Sequence, residues 1–186
     1  DQLLQLDNEL FLFLNNLGTP TWYGFWMFMT QKLNSIPLYA ALLWVSFKQL
    51  GPKKTLLMLV TVALLVLATD QLTNFFKHGI ARLRPCYDVS VNQVMRLVKD
   101  GCGGRYGYFS GHSSNSFAVA VFFISLLRPK KIWLPVLLVW ASLVAYSRIY
   151  IGVHFPLDVV TGIMAGSFFG WLFAKLYVLM AHKFDL

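Results

Sequence analysis

Charge is scarce in this chain. Asp, Glu, Lys and Arg make up 13% of its 186 residues, where an ordinary soluble domain has about a quarter. Hydrophobic residues reach 57% and gather into runs of membrane-crossing length, which excludes a water-soluble globular domain and puts the chain in a bilayer. Acidic residues are rarer than basic ones, 8 against 16, so the formal net charge is +8. Nucleic acid would need that charge on one face. It sits instead in short clusters between apolar runs, as loop charges of a membrane protein do, and nucleic acid is excluded as a partner. Cysteine is nearly absent, with 2 residues, and too few companions of ligand spacing stand near them for a zinc site. No initiator Met or basic leader region begins the sequence, so no signal peptide is expected. No internal repeat is present, and the length suits a single domain over residues 1–186.

What is present is a succession of apolar segments. Residues 1–17 mix Leu and Phe with Asp7, Asn8 and Glu9 and are too short to span about 30 Å of hydrocarbon, so an amphipathic interfacial helix is predicted. Gly18-Thr19-Pro20 breaks it and restarts a helix. Residues 22–50 are apolar but interrupted by Gln31, Lys32, Asn34 and Pro37. They read as one kinked span or as a half-inserted helix followed by a short span, the second being preferred. Further spans are predicted at 56–76, 111–127, 132–146 and 157–180, the last with Gly162, Ala165, Gly166 and Gly170 for close helix packing. A polar loop occupies 77–109. The fold class expected is all-α, a polytopic membrane helix bundle of five or six membrane helices with an N-terminal interfacial helix. Lys48, Lys53, Lys54, Arg128, Lys130, Lys131 and Lys183 fall on one side by parity, which assigns that side to the cytoplasm. The 77–109 loop and the turn at 147–157 then share the outer face.

Three constellations on that face carry chemistry. In Ser147-Arg148-Ile149-Tyr150-Ile151-Gly152-Val153-His154-Phe155-Pro156-Leu157-Asp158, a carboxylate stands four residues after a histidine. Accepting a hydrogen bond from one imidazole nitrogen, it fixes the tautomer and frees the other nitrogen to attack, while Arg148 supplies a fork for anionic oxygens. Lys77 and Arg84-Pro85 flank the start of the polar loop, and Ser110-Gly111-His112 opens a span. A helix N-terminus there offers backbone N–H groups to an anion, Gly111 permits close approach, and His112 stands where a leaving oxygen needs a proton.

Lys-x6-Arg-Pro, Ser-Gly-His and Ser-Arg-x5-His-x3-Asp, in this order and on membrane spans, resemble the type-2 phosphatidic acid phosphatases, or lipid phosphate phosphatases. That family shares its site with vanadium haloperoxidases and bacterial acid phosphatases. One departure is Phe109, where the family usually has proline. The resemblance implies a catalytic set of His154, His112 and Asp158 working without metal or cofactor through a phosphohistidine. It implies Lys77, Arg84, Ser110, Gly111 and Arg148 as phosphate ligands, and a lipid phosphate as substrate. It also implies an integral membrane protein, here assigned to a bacterial inner membrane with the site facing the periplasm or exterior. A lipid phosphotransferase using the same intermediate, and a non-catalytic membrane carrier or scaffold, are the alternatives; a haloperoxidase fits a membrane-embedded chain less well.

Other residues are weighed beside these. Cys86 and Cys102 lie in the outward loop, where a disulfide is the simplest fate and would contribute about 3 kcal/mol in the chain-entropy view. Arg82 and Arg105 match no motif position and read as surface or headgroup residues, and His78 as structural. Asp70, two helical turns before Lys77, either pairs with a site cation or faces water. Tyr106, Tyr108 and Phe109 read as the mouth of the site or as an interfacial aromatic belt.

Overall fold

The computed structural model describes residues 2–185. Six helices dominate: α1 (Gln2–Asn16), α2 (Tyr23–Thr30), α3 (Ile36–Ile80), α4 (Gly111–Leu126), α5 (Lys130–Tyr150) and α6 (Pro156–Lys183). Short 3-10 turns lie at Pro20–Trp22, Lys32–Ser35 and Pro85–Tyr87. The only extended pairing among the described residues is an antiparallel bridge between Leu83 and Tyr106.

Helix α3 is two arms. Gly51 has φ 79°, a conformation that residues with a Cβ avoid, and Pro52 follows without an N–H to continue the ladder. The arms 36–50 and 52–80 fold back on each other, since Leu43 and Leu59 wall the same two cavities. Residues 22–50 are accordingly a short helix, a 3-10 turn and a short arm rather than one continuous helix. The second arm runs past Lys77 to Ile80, farther than the predicted 76. It ends at Ala81, a left-handed cap whose N–H donates to the Lys77 carbonyl at 3.1 Å.

Among the described residues, three stretches are long and apolar enough to cross a membrane: Lys32–Ile80, Lys130–Tyr150 and Pro156–Lys183. Helix α4 is shorter, and its consecutive Phe117, Ala118, Val119 and Ala120 are all buried, so neighbours cover every face. Gly162, Gly166 and Gly170 recur every fourth residue on α6, and a Cβ at each would overlap the carbonyl oxygens of Ser110, Ser114 and Ala118 on α4. Backbone therefore touches backbone along this seam. The opposite face of α6 exposes Val160, Met164, Phe168 and Trp171, as a lipid-facing surface would.

Helix α1 turns one narrow stripe inward, two of its three residues polar, and leaves Gln2, Gln5 and Glu9 exposed beside its leucines. Asp7, Phe11 and Asn15, four apart, are buried, whereas Leu3, Leu6, Leu10 and Phe13 are exposed. Asn15 donates to the carbonyls of Ile149 and Tyr150 at 3.1 and 3.0 Å, which satisfies the end of α5. At the far end of the bundle Gln49 Oε1 accepts from the Arg128 N–H at 2.9 Å, and the Tyr177 hydroxyl donates to the Lys54 carbonyl at 3.3 Å. The basic clusters around Lys53 and Arg128 thus gather at one end, opposite the three motifs.

The glycine seam makes a direct prediction. Gly166→Val should cost about 1–3 kcal/mol of stability by overpacking and lower the thermal midpoint in detergent micelles. An unchanged midpoint would contradict the contact between α4 and α6.

Candidate active site

Each motif sits at a helix end. Lys77 lies in the last turn of α3, His112 is the second residue of α4, and Arg148 occupies the last turn of α5. His154 stands in the short connection before α6, with Asp158 in the first turn of that helix. That connection turns at Gly152, whose φ is 83° and where a Cβ would overlap the Arg96 carbonyl oxygen. The loop carrying Arg84 is held by the Arg84 N–H to the Arg105 carbonyl at 3.1 Å and the Gly107 N–H to the Arg82 carbonyl at 2.9 Å. A disulfide joins Cys86 and Cys102, with their Cα atoms 6.3 Å apart. The Arg84 side chain donates to the carbonyls of Tyr106 and Cys102, so the bridged loop aims its guanidinium.

These ends meet around one cavity of about 290 Å³, lined by Lys77, Arg84, Gly111, His112, Arg148 and His154. Lys32, Asp70, Thr73, Asn74 and Asn115 complete the wall. Four cations against one carboxylate make it a cavity for anions. Arg148 is buried, donates from Nη1 to the Thr30 hydroxyl, and keeps Nε without a protein partner. A buried donor without a partner is costly, so an oxyanion is its natural complement. Ser110 differs from the other motif residues. It is fully buried, its hydroxyl lies 3.0 Å from the Ser113 hydroxyl and accepts from the Ser113 N–H at 3.4 Å, and it is absent from the cavity wall. Its main chain ties the site together, because the Ser110 N–H donates to the Asp158 carbonyl at 2.9 Å.

His154 Nδ1 lies 3.5 Å from Asp158 Oδ2, at the outer limit of a hydrogen bond, and has no other protein partner. The carboxylate is 0% exposed. Its Oδ2 accepts from the Phe155 N–H at 3.1 Å, and its Oδ1 accepts from Arg82 at 3.0 Å. Burial, reinforced by the charges of Arg148, Arg84 and Lys77, holds the His154 pKa well below the ordinary 6.5. Its imidazole is therefore neutral at neutral pH, the state a nucleophile requires.

Several site residues escaped the sequence reading. Thr30, which drew no notice, and Lys32, which reads only as an interruption of a span, reach the site from the end of α2 and the turn after it. Gly107 leaves room for the pair, since a Cβ there would lie 3.1 Å from Asp158 Oδ2 and 3.6 Å from His154 Nδ1. Asp70 accepts from Asn115 at 2.8 Å on the cavity wall. Arg82, read as a surface or headgroup residue, is 14% exposed and bonded to Asp158 and Asp7. Phe109 is buried against Phe76 and so belongs to the core rather than to a mouth. No signal in the sequence pointed to these long-range pairings.

An apolar cavity of about 320 Å³, between α2, both arms of α3, α4 and α5, adjoins the polar one. Lys32, Asp70, His112 and Asn115 belong to both walls.

A cationic cavity at the end of an apolar helical bundle fits the class of membrane phosphatases. Within it the chain belongs to the PAP2 superfamily, whose family profile matches residues 54–180. It is 36% identical to a protein named lipid A 4'-phosphatase from Bacteroides thetaiotaomicron, over 97% of this chain and 79% of that one. The crystal structure of Aquifex aeolicus LpxE superposes with a TM-score of 0.65 at 27% identity, covering 90% of this chain and 93% of the other. A transmembrane PAP2-type phosphatidylglycerolphosphate phosphatase from Bacillus subtilis shares the fold, with a TM-score of 0.73 at 22% identity over 97% and 88% of the two chains.

Inorganic phosphate or orthovanadate should raise the thermal midpoint of the purified protein. Arg84→Gln should weaken that apparent affinity about tenfold or more, since a hydrogen bond to a charged group is worth about 1.5–3 kcal/mol. Equal stabilisation of both proteins would contradict the anion site.

Proposed function

We propose that this phosphatase removes a phosphate monoester, or the terminal phosphate of a diphosphate, from a membrane lipid through a phosphohistidine on His154. The observation that carries this reading is the junction of the two cavities. One is cationic and sized for a phosphoryl group with its headgroup, the other is apolar, and four residues belong to both. An amphiphile requires that division. The relative named lipid A 4'-phosphatase favours a lipid A-type phosphate over phosphatidic acid, phosphatidylglycerol phosphate or a polyprenyl pyrophosphate.

In the proposed reaction His154 Nε2 attacks phosphorus in line, with its Nδ1–H held toward Asp158. An N–P bond forms as the bond from phosphorus to the lipid oxygen breaks, and His112 gives that oxygen its proton. Water then attacks phosphorus, the N–P bond breaks, and His112 takes the proton of the water. Lys77, Arg84, Arg148 and the N–H groups at the start of α4 hold the equatorial oxygens, so charge neutralisation and positioning do most of the work. Ser110 contributes by capping α4 and by its main-chain bond to Asp158. No step requires a metal or cofactor.

For the membrane we propose five crossings: the two arms of α3, then α4, α5 and α6. Helix α1 lies along the outer interface and the 77–109 loop is extracytoplasmic. The basic end of the bundle faces the cytoplasm, which turns the site toward the periplasm or exterior of a bacterial inner membrane.

Phosphate release from a panel of lipid phosphates, with and without chelator, tests this reading. Release should persist in EDTA and without added acceptor alcohol, fall about 10³-fold or more in His154→Ala, and fall about 10²–10⁴-fold in His112→Ala. Loss of activity in EDTA would contradict the metal-free step, and dependence on an acceptor would favour the phosphotransferase. A lowered His154 pKa means that the neutral nucleophile is fully populated at neutral pH and is lost only as pH falls through that lower value. The acid limb of kcat/KM should accordingly lie below pH 6.5. A limb at or above that pH would contradict the assignment.

A further inference from the structure

Arg82 falls inside the Lys-x6-Arg-Pro run but belongs to neither of its named ends. Its guanidinium is forked between two carboxylates. Nη1 donates to Asp158 Oδ1 at 3.0 Å and Nη2 to Asp7 Oδ2 at 2.6 Å. The same group lies 4.2 Å above the Phe155 ring, which Phe11 of α1 meets edge-on at 5.2 Å. Asp7 has a second bond, its Oδ1 accepting from the Leu157 N–H at 2.8 Å, and so caps the start of α6 from another helix. Residues 154–158 are therefore gripped from behind by α1 and Arg82, on the side away from the cavity; neither Asp7 nor Arg82 belongs to the cavity wall.

We infer that Arg82, itself held by Asp7, is a positioning residue that keeps Asp158 ionised and aimed at His154. Asp158 has no exposure to water. A buried carboxylate persists as an anion only beside a cation with good geometry, and Arg82 is the only basic side chain that donates to it among the described residues. With Oδ1 held by Arg82, Oδ2 stays with the Phe155 N–H and within reach of Nδ1. Asp7 keeps the guanidinium from rotating fully onto Asp158, a bidentate pairing that would draw Oδ2 away from the imidazole. The N-terminal helix is by this account a working part of the site. The inference rests on the proposed roles of His154 and Asp158.

A double-mutant cycle on lipid phosphate hydrolysis by the full chain in detergent tests it. Arg82→Gln should lower kcat about 10- to 100-fold, the range typical of groups that orient a reacting residue. KM and the apparent affinity for orthovanadate should hold. The acid limb of kcat/KM should move to higher pH, because Asp158 takes up a proton more readily without its cation. Arg82→Lys should recover part of the loss. In an Asp158→Asn background the same Arg82→Gln change should have less than about a twofold effect, since the partner it acts through is gone. Asp7→Asn retains an acceptor for Leu157 and should produce a smaller kcat loss in the same direction, which keeps the test alive if Arg82→Gln does not fold. A rise in KM alone would overturn the inference in favour of a headgroup contact. Wild-type kcat and pH profile in Arg82→Gln, or full additivity with Asp158→Asn, would also overturn it. Wild-type activity in Asp158→Asn itself would instead sink the His154–Asp158 pairing on which the inference rests.

Discussion

Backbone contact between α4 and α6 is the constraint on which the site depends. His112 begins one helix and Asp158 the other, separated by a long stretch of chain that crosses the bundle and returns. They meet because three glycines on α6 put no side chain of that helix into the seam, so the carbonyls of Ser110, Ser114 and Ala118 approach the α6 backbone directly. The Ser110 N–H reaches the Asp158 carbonyl at 2.9 Å. That single main-chain bond sets the N-terminus of α4 beside the helix that carries the buried carboxylate. A side chain in the seam would separate the two halves of the site before it affected any reacting group.

Around that fixed pair the electrostatics follow from burial. Lys77, Arg84 and Arg148 arrive from three separate elements and converge on a common cavity with Lys32. Like charges repel strongly where water is excluded, and the two arginines are held by neutral partners: Arg148 by the Thr30 hydroxyl, Arg84 by the carbonyls of Tyr106 and Cys102. An entering phosphoryl group removes that repulsion and gains oriented donors already in place, the condition under which electrostatic stabilisation is largest. Burial first, and then the same cations that would bind the phosphate, disfavour a proton on His154.

How much of this was legible beforehand depends on the range of the interactions. Helical segments and the small-residue face of α6 are written in local composition and periodicity, and they could be read. The motif residues could be read because their types are costly in apolar surroundings and their spacing is specific. Arg82 could not, for its meaning lies in two carboxylates that are remote in sequence, one of them in α1. Thr30 and Lys32 were hidden for the same reason: nothing within their own segment shows what they meet. For Phe109 the sequence left mouth and aromatic belt open, because an aromatic at a loop's end says nothing of whether Phe76 waits beneath it. The mixed polarity of α1 was legible but its facing was not, since the partners that bury Asp7 and Asn15 lie in distant segments.

Everything chemical in this account comes down to one covalent bond, between phosphorus and the imidazole of His154. The most direct measurement is rapid alkaline quenching of the enzyme during turnover of a radiolabelled lipid phosphate, followed by mapping of the labelled peptide. Label should appear on His154, accumulate when His112 is changed to Asn if water attack becomes the slower step, and be absent from His154→Ala. Label on any other residue, or hydrolysis with inversion of configuration at phosphorus, would contradict the mechanism.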